Sequence, residues 1–330
     1  MRGLLLPSRW YFGFVSSTCL IKEQVKGRVK KFTVFNKPQT FNYSSSTGTK
    51  GALSTHCDNM PRAPTLSEVV KQLEEFAPLS LAEPWDNVGL LLEPAEPKPI
   101  DTIFLTNDLT ELVLEEAIDK SADLIISYHP PLFKALKRIT QKTWKERIVS
   151  KCLKEGIAVY SPHTCWDSVY GGVNDWLLSG LRKLILFSLT LFLSDGGTGR
   201  ILQLSNPVTI QEIVDRVKDH CGLHKGIQVG LGVNHSLDSE VTKIAVCAGS
   251  GSSVLNGIPA DVYLTGEMSH HDVLEASHNN VSVILTHHSN SERGFLDIFS
   301  TKLADALDDK DFFTATYVSE KDRDPLTITS

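Results

Sequence analysis

An apolar run from Val281 to Thr286 stops at His287 and His288, and Glu292 follows four residues after His288. If the run is a strand and a helix opens near Ser289, His288 and Glu292 meet at the strand's carboxyl end, where ligands gather in open α/β sheets. Two earlier runs end the same way. Leu124 to Tyr128 leads into His129, and Ile157 to Pro162 leads into His163, with Asp167 four residues on. Imidazole and carboxylate donors together suit a divalent transition metal such as Zn, Mn, Fe or Ni better than Ca or Mg. A carboxylate can also bridge two ions about 3.5–4 Å apart, which activate water and polarise a substrate. His129, Asp167, His288 and Glu292 are therefore the expected ligands of one or two ions. Each has a plainer reading as well. Glu292 could be the capping partner of Ser289, Asp167 could cap a turn, and His129 could be a loop residue before Pro130 and Pro131.

Further groups could serve the same chemistry. Glu267, His270, His271 and Asp272 cluster after another expected strand, where Glu267 could act as a base or orient ligand imidazoles, with surface polarity at a helix start the alternative. His163 is a second candidate for proton transfer. Trp85, Asp86 and Asn87 could line a pocket or form an ordinary turn, and Tyr128 adjoins His129. Gly249 to Ser253 lacks both the Walker lysine and the GxGxxG spacing, so it reads as a tight turn, with phosphate binding an alternative. No GxSxG elbow supports a serine hydrolase.

Positioning these residues requires alternating strands and helices. Thr65 and Glu68 have capping-box spacing ahead of Val69, Val70, Leu73 and Phe76, at helical intervals. Residues 85–92 read as a turn feeding a strand, and further strands are expected at 102–106, 122–127, 157–160, 243–248, 261–265 and 281–286. Helices are expected at 110–120, 144–155 and 209–220, with another starting near Asn174. This alternation predicts an α/β fold with a largely parallel sheet. No sequence repeat links the two halves.

The 330 residues allow about two domains. A formal charge of −6 argues against a general nucleic-acid binder. Six dispersed cysteines read as reduced thiols. The longest apolar run of the chain's body, 184–193, is too short for a membrane span of about 20 residues. The first fifty residues carry nine Lys or Arg and a single acid, Glu23, so 1–59 reads as a disordered or mitochondrial-targeting segment. The expected division is then a lobe at 60–181, an irregular linker at 182–204 and a lobe at 205–330.

Five ordered motifs resemble the NIF-three-like family, whose bacterial members are called GTP cyclohydrolase I type 2 homologues. They are Ser80 to Leu90 (SLAEPWDNVGL), Ser127 to Pro131 (SYHPP), Ser161 to Thr164 with Asp167, Thr265 to Asp272 (TGEMSHHD) and His288 to Gly294 (HSNSERG). The Tyr-His-Pro-Pro form and the closing Asp322 to Leu326 (DRDPL) resemble the eukaryotic branch. The resemblance implies two similar α/β lobes with largely parallel mixed sheets flanked by helices, a two-metal cleft, and assembly into dimers or hexamers. Family ligands fall on His129, Asp167, His288 and Glu292. Tyr128 stands where bacterial members usually have a second histidine, and the middle segment reads as shortened. Two functions are implied. One is a metal-dependent hydrolase acting on a small nucleotide-like or phosphorylated substrate. The other is an adaptor, such as a transcriptional corepressor, that binds regulatory proteins without direct nucleic-acid or membrane contact and carries a structural or vestigial metal. The expected location is the cytoplasm, with the mitochondrion or nucleus as further sites.

Overall fold

The computed structural model describes residues 24–25, 28–29, 62–181, 189–192 and 197–327. Met1–Thr55 and His56–Ser330 are separate compact units. In the first, β1 (Gln24–Val25) pairs antiparallel with β2 (Arg28–Val29); the rest of the segment expected to be disordered or targeting lies outside the described residues. Everything below concerns the second unit.

Five of its described helices start where a short hydroxyl side chain offers an acceptor to otherwise unpaired backbone N–H groups. Thr65 caps α1 (Leu66–Phe76), and Glu68 reaches back to the Thr65 N–H, completing the expected capping box. Thr110, Thr143, Thr209 and Ser269 cap α2 (Glu111–Asp119), α3 (Trp144–Glu155), α6 (Ile210–Cys221) and α8 (His270–His278) in the same manner. Between α3 and α6 lie the short α4 (Thr164–Ser168) and α5 (Val173–Ser179). After α6 come α7 (Ser252–Leu255) and the 14-residue α9 (Phe295–Asp308), which the sequence reading did not anticipate.

The first sheet has the order β13-β4-β5-β6-β3. Strands β4 (Thr102–Thr106), β5 (Leu124–Ser127), β6 (Ala158–Ser161) and β13 (Ala315–Val318) run parallel, and β3 (Gly89–Leu92) is an antiparallel edge. The second sheet has the order β7-β8-β10-β11-β12-β9. Its parallel centre is β10 (Glu240–Ser250), β11 (Val262–Glu267) and β12 (Ser282–Leu285), with β9 (Gln228–Gly230), β8 (Arg200–Thr209) and β7 (Leu189–Phe192) antiparallel.

The two lobes repeat one plan that the sequence hides. The series α1-β3-β4-α2-β5-α3-β6 matches α6-β9-β10-α7-β11-α8-β12 in order and strand direction. Even a local device recurs: the Asp123 carboxylate accepts from the N–H groups of Asp101 and Thr102, and the Asp261 carboxylate from those of Thr242 and Lys243. Each ties the start of one parallel strand to its neighbour.

Strand alternation sends side chains to two layers. Ile103, Leu105, Leu124 and Ile126 face a shared core with Ile244, Val246, Trp166, Trp176 and Phe295 from the middle helices and the other sheet. Phe104, Ile125 and Val159 pack outward beneath α2 and α3, and Ala245, Tyr263 and Val283 beneath α7 and α8. Each large buried aliphatic side chain contributes roughly 1.5–3 kcal/mol, so the shared layer binds the lobes into one unit.

Two boundary expectations change. The 182–204 segment is not irregular where it is described, because it contains β7 and the start of β8. The lobe expected at 205–330 has other bounds, since β8 already begins at Arg200 and β13 crosses back to pair with β4 of the first sheet. Pairing there covers the edge of β4, which would otherwise expose unpaired backbone groups. Fully buried Arg200 adds a further tie: its guanidinium meets both oxygens of Asp175 at 3.1 and 2.9 Å.

Replacing Thr65 by alanine should lower unfolding free energy by about 1 kcal/mol. Urea denaturation checks this, and an unchanged midpoint would show that the box does not hold α1.

Candidate metal centre

The carboxyl ends of parallel strands from both sheets meet at one place. His129 lies two residues past β5 and His288 three residues past β12. His287, at φ 66°, takes a left-handed conformation unusual for a non-glycine residue and turns the chain into a 3-10 turn at Ser289–Ser291. Glu292 closes that turn with its carboxylate inward, so it does not serve as the capping partner of Ser289.

Glu292 is 2% exposed and sits between two imidazoles. Its Oε2 lies 3.4 Å from His129 Nε2 and its Oε1 3.4 Å from His288 Nε2. Donor atoms of the three residues all fall within 4.8 Å of one another, a group able to hold a metal ion. The outward nitrogens are engaged by carboxylates: His129 Nδ1 meets Asp108 Oδ1 at 2.9 Å, and His288 Nδ1 meets Glu267 Oε1 at 2.9 Å. Carboxylates placed behind imidazoles in this way fix the ring and raise its basicity towards a metal. His129 Nε2 is buried without a hydrogen-bond partner, which fits a nitrogen reserved for a metal. Asn107 Nδ2 donates to Glu292 Oε2 at 3.0 Å.

Gly249 makes room for this arrangement. It has φ 65°, and a Cβ there would stand 2.6 Å from Glu292 Oε1 and 3.2 Å from His288 Nε2. Its N–H donates to Ser291 Oγ at 2.7 Å, so the glycine-rich turn serves the site through close approach.

The charges are strongly coupled. Burial opposes the ionised Glu292, but the charges of His129 and His288 and the Asn107 hydrogen bond outweigh it and hold the carboxyl below its ordinary range. Burial likewise opposes protonated His129, but Glu292 and Asp108 keep its pKa well above the usual histidine value.

Asp167, the fourth expected ligand, lies outside the three-residue group. Its Oδ1 accepts from the Tyr128 hydroxyl at 2.6 Å. Burial, followed by the nearby charge of Asp167, keeps the Tyr128 phenol neutral. Burial pushes the Asp167 carboxyl up to about 6 despite that hydrogen bond.

His163 is adjacent, with its ring 5.4 Å from that of His129. Its Nδ1 meets Asp86 Oδ1 at 2.7 Å, and Asp86 also accepts from the Thr164 N–H. Asp86 is thus an orienting carboxylate, while Trp85 and Asn87 occupy the rim. Glu267 is committed to His288. His270 and His271 are exposed at the start of α8, their rings 5.4 Å apart, and make no contact with the group.

Sequence reasoning missed Asn107, Asp108, Asp322 and Arg293. Asp322 Oδ2 accepts from the Asn107 N–H at 2.8 Å and lies 3.3 Å from Arg293 Nε, so the segment after β13 braces the site from below. The position of Asn107 and Asp108 just past β4 was the available signal, the same one that flagged the histidines.

A model of the Duf34/NIF3 (NGG1p interacting factor 3) family matches residues 64–325. The chain belongs to that family. It is 50% identical over 262 residues to NIF3-like protein 1 of Drosophila melanogaster, covering 79% of this chain and 88% of that one. It is 37% identical over 360 residues to NIF3-like protein 1 of Homo sapiens, covering 82% and 94%. The human alignment is longer than this whole chain and so contains gaps. A Bacillus cereus protein related to NIF3 has the same fold, with a TM-score of 0.69 at 22% identity, covering 81% and 100%. Reduced HcgD from Methanocaldococcus jannaschii gives 0.67 at 26%, covering 78% and 98%. Among the described residues no helix is long and apolar enough to cross a membrane.

Asp167 generates a pH prediction. An unfolded aspartate titrates near 3.9, whereas this one keeps its proton to about 6. Between those values the folded state binds the extra proton, so rising pH destabilises the fold through this residue until the penalty is complete above about 6. In chelator-treated protein, Asp167→Asn should raise the melting temperature at pH 8 by roughly 2–4 °C, and the gain should shrink toward pH 4. Equal shifts at both pH values would contradict the assignment.

Proposed function

We propose that this protein binds a divalent transition metal through His129, His288 and Glu292 and uses it for hydrolysis of a small substrate. The observation that carries the reading is the paired arrangement of the two imidazoles. Each has Nδ1 held by a carboxylate and Nε2 turned to opposite oxygens of one buried carboxylate. A purely structural ion pair needs one such contact, not a symmetric set backed by two further acids.

An ion bound there would polarise the substrate and lower the pKa of a water molecule. The chain's residues supply the rest. Asp108 and Glu267 hold protons at the two Nδ1 atoms, leaving both Nε2 atoms as donors of electron pairs. Asp86 does the same for His163 at Nδ1; the His163 Nε2 makes no hydrogen bond among the described residues and is the nitrogen able to carry a proton to or from a reacting group. Neutral Tyr128 donates to Asp167, which supports a single-ion site: the acid that would reach for a second ion is already engaged.

A second reading, an adaptor that binds regulatory proteins, is supported by the name of a Saccharomyces cerevisiae relative, NGG1-interacting factor 3, 35% identical over 284 residues. The two readings separate in one experiment. Zinc- or manganese-loaded protein is assayed on a panel of phosphate monoesters and diesters beside Glu292→Ala. Hydrolysis should fall by more than the roughly 10–100-fold that loss of a residue behind the ligands costs. Hydrolysis unchanged by the substitution, or absent with bound metal, would overturn the hydrolase reading.

A further inference from the structure

Trp85 is 61% exposed and Phe133 39% exposed, although each could bury a large apolar area. They are not scattered surface residues. Their rings lie 6.1 Å apart at 64°, and they reach the His163 ring at 6.0 and 6.3 Å. His163 contacts His129 at 5.4 Å, and His129 contacts His288 at 5.1 Å. A continuous line of rings thus runs from solvent to the metal ligands.

The outer rings are held in place. Asn87 Nδ2 donates to the Leu132 carbonyl, tying the loop that carries Trp85 to the loop that carries Phe133. Asp86 anchors the first loop to His163 and Thr164, and the Glu83 N–H donates to Thr164 Oγ1 at 3.0 Å. The second loop is also cationic. Between Pro130 and Lys145 the chain has five Lys or Arg and no acid, within a protein of net charge −6. Lys134, Lys137 and Arg138 are exposed and make no ion pair among the described residues.

We propose that Trp85 and Phe133 form a stacking subsite beside the metal centre for the planar ring of an anionic aromatic substrate, with the basic loop at Lys134, Lys137 and Arg138 meeting its negative charge. The inference rests on the metal-centre reading and adds the substrate class. Aromatic faces accept many planar rings through stacking, while cations on a loop favour phosphate or carboxylate. All three residues of the Trp85-Asp86-Asn87 motif then have work: one ring for the ligand, one acid for His163, and one amide to fix the opposite loop.

Calorimetric titration of zinc-loaded protein with AMP, CMP and ribose 5-phosphate tests this, with zinc content measured on each sample. Both nucleotides should bind about ten-fold tighter than ribose 5-phosphate. Trp85→Ala should abolish that preference with zinc content unchanged, and Trp85→Phe should restore most of it. Equal affinities for the three compounds, no binding of any, or a preference that survives Trp85→Ala, in protein that holds zinc, would overturn the subsite. Failure to hold zinc would instead overturn the metal-centre reading, and with it the claim that the ring lies beside an ion.

Discussion

Burying the Glu292 carboxylate is the constraint on which the rest of the structure depends. An ionised acid removed from water costs several kcal/mol unless opposite charge and hydrogen bonds surround it. The compensation comes from far along the chain: His129 from the end of β5, Asn107 from the end of β4, and His288 from the end of β12. None can be supplied unless both sheets are assembled and held at a fixed separation. The shared apolar layer, the Arg200–Asp175 pair and the return of β13 to the first sheet all serve that separation. Asp322 extends the same logic, since it reaches Asn107 across 215 positions of sequence and meets Arg293, next to Glu292.

Internal repetition explains why such a site forms between lobes. The repeated part of each lobe places the carboxyl ends of three parallel strands on one side, β4, β5 and β6 in one and β10, β11 and β12 in the other, and those ends come together at the site. The repetition is not symmetric in chemistry. Near β10 the strand end is Gly249, whose missing side chain admits Glu292 and His288, whereas near β4 it is Asn107 and Asp108, which supply an amide and a carboxylate. One lobe gives space and the other gives partners.

Much of this was legible locally. The Thr65–Glu68 box, the alternation of strand residues and the histidines just past strand ends depend on spacing within a few residues, and they stand where spacing put them. The repeat of the two lobes was not legible, because it resides in strand order and direction rather than in residue identity. Nor was the pairing of β13 with β4, a contact between segments more than 200 residues apart that carries no local signature. Asp108 went unnoticed because its role exists only once His129 is beside it. For His270 and His271 the alternative reading, surface polarity at a helix start, is the one the fold matches: their place in the first turn of α8 leaves them in solvent. Asp167 shows a subtler limit, since only the fold reveals that the Tyr128 hydroxyl has taken its oxygen.

The most direct measurement is the metal content of the purified protein by plasma mass spectrometry, beside a His288→Ala, Glu292→Ala double variant whose folding is checked by circular dichroism. One equivalent of a transition metal per chain, lost in the folded variant, is the predicted result. A folded parent protein without metal, or a variant that retains the parent's metal, would contradict the account.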